Sequence, residues 1–223
     1  AVSHFEFGVK TTPLPGSTLN FTIYNTDIKD FQTQVQTPEL GVNRGYLSNA
    51  EQVRVRGAEL EVNFTVSKNF SFYGGAAYTE GQYVSFKNAP LALEETGLRV
   101  DGVQVAFKDI SGSNLPGISK WAGSLGGEIS KSGKGFGKTG KFFLAADGYY
   151  RSSFSSSATP SKYLVVDGYA LVNVRLGFRA VEGVSFFVWA RNLLDQDYFE
   201  QLLPAAGNAG HYAGVLGDPR TYG

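Results

Sequence analysis

The stretch Ala58-Glu59-Leu60-Glu61-Val62-Asn63-Phe64-Thr65-Val66 alternates without a break. Ala58, Leu60, Val62, Phe64 and Val66 fall on one side, and Glu59, Glu61, Asn63 and Thr65 on the other. Side chains of a β-strand point to opposite faces in turn, so this period of two predicts a strand with one apolar and one polar face. The pattern returns in Leu164–Phe178, where Leu164, Val166, Ala170, Val172, Val174, Leu176 and Phe178 oppose Asp167, Tyr169, Asn173 and Arg175. Leu19, Phe21 and Ile23 oppose Asn20 and Thr22, and the run continues through Phe31 to Val35 with a register break expected near Asn25. Trp121, Leu125 and Ile129 oppose Ser124 and Glu128, while Phe142, Leu144, Ala146 and Tyr150 oppose Asp147 and Arg151. Val2–Thr11, Phe70–Phe86 and Val184–Asn192 read as strands by composition, bringing the total to about eight.

The connections between these strands also alternate. Pro13–Ser17, Ser67–Asn69 and Arg179–Gly183 are short and polar, and Lys131–Lys141 is somewhat longer. Between them run Thr37–Asn49, Lys87–Ile118, Ser152–Tyr163 and Leu193–Gly223. An antiparallel up-and-down meander with these connections keeps its turns at one end and its loops at the other, the polarity of an outer-membrane β-barrel. Several runs exceed the 5–6 residues usual in soluble sheets and suit a tilted spanning strand of about 9–11. Aromatic residues gather near strand ends (Phe70, Phe72, Trp121, Phe142, Phe143, Tyr149, Tyr150, Tyr163, Phe186, Trp189 and Tyr198), as an interfacial girdle requires. Small residues at Gly75, Ala77, Gly126 and Gly148 are expected on the polar face. The expected fold class is therefore all-β: an antiparallel meander forming a partial transmembrane β-barrel of about eight strands.

Composition agrees with that class and narrows the chemistry. The chain has 223 residues, enough for one large β domain or two smaller ones, with 20 basic and 20 acidic side chains. Balanced charge gives no reason to expect nucleic acid as a partner. No run approaches the ~18 apolar residues of a spanning helix, whereas barrel strands average to a soluble-looking composition. With no cysteine, disulfides and thiol chemistry drop out. The chain opens at Ala1 with no basic and apolar leader, so an exported protein is expected to have its signal upstream or removed.

Candidate chemical motifs give little. Ser132-Gly133-Lys134-Gly135-Phe136-Gly137-Lys138-Thr139 has Ser where a phosphate-binding loop needs its first Gly, and it leads into a strand rather than a helix. It reads as a glycine-rich hairpin turn. His4 and His211 lack metal-ligand or catalytic spacing. The run 152–157 lacks a nucleophile elbow. Glu94, Glu95, Asp101 and Asp109 share the longest loop without the ligand spacing of a calcium site, and they read as a solvated acidic loop. Asn20, Asn63 and Asn69 match the glycosylation pattern by chance in or beside strands. No catalytic residue, cofactor or metal is expected.

Four segments resemble one family. Arg56-Gly57-Ala58-Glu59-Leu60-Glu61, after Asn49-Ala50-Glu51, resembles the N-A…R-G-x-E-L/F-E segment of TonB-dependent outer-membrane receptors. Ala190-Arg191-Asn192-Leu193-Leu194-Asp195-Gln196-Asp197-Tyr198 is similar to its V-x-N-L-F-D-x-x-Y. Gly217-Asp218-Pro219-Arg220-Thr221-Tyr222-Gly223 resembles its G-x-P-R-T lead into the last strand, and Leu115-Pro116 before Trp121 its L-P-x-x-P. The resemblance implies that residues 1–223 are the carboxy-terminal part of a roughly 22-stranded plugged barrel. A plug, the rest of the barrel, the amino-terminal region that engages the TonB complex and the final strand are then expected elsewhere. It further implies a Gram-negative outer membrane, lipid around the wall, and an iron–siderophore or other scarce nutrient as ligand. On this view Glu59, Glu61, Asp147, Arg151, Asp167 and Arg175 face the lumen, pairing across strands or touching a plug. Val100–Ser113 and Asn208–Tyr212 are the expected ligand-contacting loops. The alternative is a soluble β-sandwich or barrel module binding carbohydrate. It differs in one observable: its apolar face, Leu60–Val62–Phe64 with Val172–Val174–Leu176, is buried against a second sheet.

Overall fold

The computed structural model describes residues 1–36, 44–205 and 210–223. Its main feature is one antiparallel sheet of nine strands, each hydrogen-bonded to its chain neighbour. These are β1 (Val2–Thr11), β2 (Ser17–Gln36), β3 (Gly45–Ser67), β4 (Phe70–Ser85), β5 (Trp121–Gly135), β6 (Lys138–Arg151), β7 (Tyr169–Ala180), β8 (Ser185–Arg191) and β9 (Thr221–Tyr222). The sheet does not close; β1 and β9 are its edges. The expected meander is thus present, with a ninth strand begun by Thr221 and Tyr222 opposite Arg191 and Ala190.

Register carries the two-faced pattern across the whole wall. One row runs Leu19, Val62, Gly74, Leu125, Gly148, Val172, and the next runs Phe64, Phe72, Gly127, Ala146, Val174, Ala190. The intervening row, Thr18, Asn63, Tyr73, Gly126, Asp147, Asn173, belongs to the opposite, polar face. Gly148 therefore lies on the apolar face, contrary to expectation. No second sheet covers that face among the described residues: Leu125 is 64% exposed, Leu176 55% and Val188 62%. That is the arrangement of a lipid-facing wall and not of a sandwich.

Aromatic side chains bracket the apolar band at both ends. At the turn end Phe64 stacks on Phe72 (ring centroids 5.1 Å), Phe142 meets Phe178 (4.8 Å) and Phe136 meets Phe186 (5.3 Å). Eight residues along β4 from Phe70, Tyr78 meets Trp121 (4.8 Å) at the loop end. Phe143, Tyr149 and Trp189 fall on the polar face instead, and Tyr163 and Tyr198 lie in loops, so only part of the aromatic cluster forms the girdle.

Three expectations about local structure need correction. Strands β5 and β6 extend through the glycine-rich segment, leaving Phe136-Gly137 alone in the turn; both have left-handed φ (+53° and +74°), as a two-residue type I′ hairpin turn demands. The face change in β2 falls at Asp30 (φ +58°), five residues past Asn25. Lastly, Leu164–Phe178 is not one strand. Val165–Val166 pairs with Phe154–Ser155, and the wall resumes at Tyr169. Between the two pieces the chain passes so close to the end of β6 that a Cβ at Gly168 would sit 2.9 Å from the Arg151 carbonyl oxygen.

Above the aromatic row the apolar residues change sides. On β3 Val53 and Val55 lie on the face of Glu59 and Glu61, while Arg54 and Arg56 point the other way, bonded to Asp27 (2.9 Å) and Glu80 (2.8 Å). Val35, Ala50, Val53, Tyr83, Phe86, Ala89, Ile110 and Leu115 form a buried cluster there. The loop of residues 86–120 thus packs down onto the polar-face side of β2–β4, supplying a core that lipid makes unnecessary lower down.

A cation placed in the apolar band tests its lipid exposure. Leu125→Arg, at the middle of the band, is expected to cost about 2–4 kcal/mol of folding free energy in bilayer vesicles, measured by urea titration. The same substitution at the exposed Phe107 is expected to cost less than about 0.5 kcal/mol.

Candidate functional site

The residues expected to carry ligand or plug contacts fall into two regions, the polar face of the wall and the layer of long loops above it. On the polar face the six expected charges do not pair with one another. Glu61 accepts a bond from the Asn20 amide (3.3 Å), and Asp147 accepts one from the Asn173 amide (2.7 Å). Arg151 donates to the Ser119 hydroxyl (2.9 Å) and the Gly117 carbonyl (3.1 Å) and lies over the Phe154 ring. Arg175 sits between the Phe143 and Phe187 rings, 5.6 Å from each centroid. Glu59 shares a row with Ala77, Ala122 and Arg151, three strand spacings from that guanidinium. Asp167 does not belong to this face: it lies exposed between Val166 and the start of β7.

The ion pair that does span the wall joins Glu128 and Arg179 through two bonds, 3.1 and 3.2 Å. Alternation put Glu128 on the polar face, but Arg179 read as turn. Ala145 faces Glu128 on one side and Arg175 on the other, so Arg179 reaches Glu128 diagonally, its guanidinium 4.4 Å over the Phe143 ring. With Arg175, Arg191, Trp189 and Asp147, Glu128 lines a groove of about 880 Å³.

Several motif positions make bonds that hold the wall and its last loop. Arg56 is held by Glu80, and Gly57 leaves room for the Tyr24 ring, whose hydroxyl reaches Thr79 (3.0 Å) across the β3 backbone. Asn192 is buried and left-handed (φ +46°). Its side-chain amide donates to the carbonyls of Gln196 (2.9 Å) and Asp218 (3.1 Å), its side-chain oxygen accepts from the Gln196 amide (2.9 Å), and its own backbone N–H reaches Asn173 (3.1 Å). Asp195, also left-handed, pairs with Arg220 (3.2 Å), which also contacts the Leu193 carbonyl (3.4 Å) and follows Pro219. The Tyr198 ring occupies the space a side chain at Gly217 would need and packs at a tilt against Tyr169 (4.3 Å). Together these residues draw both ends of the last loop to one point.

In the loop layer Glu94 is the hub. Its carboxylate accepts bonds from the Tyr212 hydroxyl (2.8 Å) and the Lys162 backbone N–H (3.0 Å), linking three loops far apart in sequence. Tyr163 packs at a tilt against Tyr212 (5.1 Å), Thr159 donates to the Pro90 carbonyl (3.2 Å), and Ser156 accepts from the Leu202 N–H (3.0 Å). Glu95 is taken by Lys108 (2.6 Å) and Asp109 by Ser111 (2.9 Å), so the acidic residues of this loop serve separate bonds. Among the described residues no group of three or more His, Asp or Glu is placed to hold a metal ion. Val100–Ser113 carries exposed hairpin tips, and Tyr212 is drawn into the hub; Asn208 lies outside the described residues. Periodicity is blind to this hub, since its members sit in segments with no repeating pattern.

Comparison with known proteins follows this geometry. Residues 2–193 match the family described as TonB dependent receptor-like, beta-barrel. An open wall with aromatic-bounded lipid face, tight turns at one end and interlocked loops at the other is a segment of a transmembrane β-barrel. The chain belongs to the TonB-dependent receptor β-barrel family. Among solved structures it resembles the ferric yersiniabactin uptake receptor of Yersinia pestis (TM-score 0.73, 16% identity, 99% of this chain and 28% of that one). It also resembles a siderophore receptor of Acinetobacter baumannii (0.68, 17%, 99% and 27%) and a ferric-catecholate import receptor of E. coli K12 (0.66, 20%, 99% and 26%). The chain therefore spans less than a third of the length of these receptors. No curated protein sequence matched.

Two outcomes follow. Burial pushes the Glu94 carboxyl up, but the bonds from its own and the Lys162 backbone, Tyr212 and Ser161 outweigh it and hold the group below 4.5. Burial and then Glu94 push the Tyr212 hydroxyl up to about 12. The depressed acid stabilises the folded loops above pH 4.5 and loses this as pH falls through its folded value; the raised phenol stabilises them below pH 10 and loses this as pH rises through 12. Glu94→Gln is expected to speed hydrogen exchange at the Lys162 amide on the order of tenfold at pH 7, the difference from the parent shrinking as pH falls through the carboxyl's folded pKa. Asn192→Ala removes three hydrogen bonds made by a buried side chain and is expected to cost about 2–3 kcal/mol in a thermal or urea unfolding measurement.

Proposed function

We propose that residues 1–223 form the carboxy-terminal part of the barrel of a TonB-dependent receptor in a Gram-negative outer membrane. The plug and the rest of the barrel are its intramolecular partners. In this reading the receptor imports a scarce nutrient, an iron–siderophore first, with energy delivered by the TonB complex through the amino-terminal region. The wall supplies a lipid-facing surface and a lumen lined by Glu59, Glu61, Asp147, Arg151 and Arg175, and catalysis plays no part. The observation that carries the reading is the interlocked loop layer: three long loops are tied to one carboxylate above the polar face, on the side where a ligand meets the pore before a plug. The uptake receptors among the structural neighbours support iron–siderophore as the ligand class.

Energised uptake is testable in cells. A strain carrying the full-length receptor as its one route for a ferric siderophore is expected to accumulate radiolabelled iron, and to lose at least tenfold of that rate when its TonB gene is deleted. Equal uptake with and without TonB contradicts the proposal.

A further inference from the structure

Charge is unevenly distributed along the wall, although the chain as a whole carries 20 basic and 20 acidic side chains. The turn end, residues 11–17, 65–69, 130–141 and 179–185, holds five lysines and Arg179 against a single acid, Glu182. At the loop end Arg54, Arg56, Lys108 and Arg220 are each paired with a carboxylate. Arg179 is likewise taken by Glu128, but the lysines of the turn end make no ion pair among the described residues. Two of them stand side by side. Lys131 follows Leu125, Gly127 and Ile129 in alternation on the outer face of β5, exposed opposite Phe142. Lys68 lies in the adjoining turn, next to Asn69, whose carbonyl accepts the Ser130 N–H (2.7 Å).

On the same face, toward the middle of the band, lies an apolar groove of about 710 Å³. Phe70, Phe72, Leu125, Ile129 and Leu144 line it, and Gly127 and Gly148 leave its floor at backbone level. Glu128 and Asp147 also border it, but their side chains are bonded on the opposite face. Lys131 is the next outward residue beyond Ile129, at the turn end of this groove. It stands six residues from Leu125, roughly 20 Å along a strand. At the roughly 35–45° tilt of barrel strands this is about 15 Å of depth, half of the ~30 Å hydrocarbon core. A lysine at that distance from mid-band sits where one leaflet ends and its phosphates begin.

We propose that this groove, with Lys68 and Lys131, is a binding site for an anionic phospholipid of the periplasmic leaflet. One acyl chain lies in the groove, and the phosphodiester meets the two ammonium groups. Any lipid can wet an apolar face; this place differs because the groove ends at unpaired cations at the depth of a phosphate. The lysine stems stay along apolar surface while their heads reach the interface. Basic groups beside a membrane surface attract net negative headgroups, whereas a zwitterionic lipid brings an ammonium of its own to the same spot. A phosphate without a chain has only exposed lysines, whose attraction salt screens.

The inference rests on the reading of the wall as membrane-spanning with its turns toward the periplasm, but its test does not require transport. Full-length receptor in detergent is titrated with phosphatidylglycerol, phosphatidylethanolamine and glycerol phosphate, and bound molecules are counted by native mass spectrometry. Phosphatidylglycerol is expected to bind at least tenfold more tightly than either of the others. The Lys68→Gln, Lys131→Gln double variant is expected to bind it no better than phosphatidylethanolamine. Gly148→Leu fills the groove, and its Cβ meets only the Leu171 and Leu125 carbonyl oxygens, at 3.7 and 3.9 Å. It is expected to weaken phosphatidylglycerol binding fivefold or more with both lysines in place. Equal binding of the two lipids, glycerol phosphate that binds as tightly as phosphatidylglycerol, or either variant binding phosphatidylglycerol like the parent overturns the site. The comparison of lipids on the parent decides the matter even if a variant melts lower. A receptor that takes up iron through TonB yet binds both lipids alike loses this site alone; one that prefers phosphatidylglycerol but takes up no iron keeps the site and loses the transport reading.

Discussion

Everything in this wall follows from one constraint: inside a hydrocarbon layer a backbone N–H or C=O has no water to turn to. Strands must satisfy those groups sideways, in ladders without gaps. The pairing of β6 with β5 and with β7 runs unbroken from the turn end to the loop end. The register shifts of the β3–β4 ladder fall at Gln52/Val53 and Thr65/Ser67, near its two extremities. An irregularity mid-band would strand polar groups in lipid, whereas at the ends water or a loop can meet them.

The same constraint explains why β2 and β3 invert their chemistry partway along. In lipid the outward side chains must be apolar and the inward ones polar. Beyond the aromatic row water lies outside, and the inward side becomes the place to bury Val53, Tyr83 and Phe86 beneath the folded-back loop. On β3 the residue types simply exchange faces; on β2 a left-handed Asp30 turns the strand over so that Phe31, Thr33 and Val35 share the inner side. One strand thus serves two solvents in succession, and salt bridges such as Arg54–Asp27 appear on its outer side where the apolar row leaves off.

This division also sets what could be read from the amino acids. The spanning half was legible, because lipid on one side and polar groups on the other force a strict period of two, cleanest at Ala58–Val66. The part beyond the band was not. Leu164–Phe178 keeps its alternation across Gly168, although Val165–Val166 pairs with Phe154–Ser155 and the wall strand starts only at Tyr169, leaving Asp167 in the stretch between them. Glu94 could be seen only as acidic, since its partners Tyr212 and Lys162 come from distant loops. Arg56, Asn192, Asp195 and Arg220 were found through resemblance alone, and their roles as brackets and caps became evident only from their bonds.

The knot of Asn192, Asp195 and Arg220 has a wider consequence. It fixes where the last loop leaves β8 and where it returns to β9, whatever lies between. The excursion of residues 193–220 is therefore a cassette with standard fittings. Its length and chemistry are free to change while the neighbouring wall keeps its register, so the scaffold can take a new loop without being rebuilt.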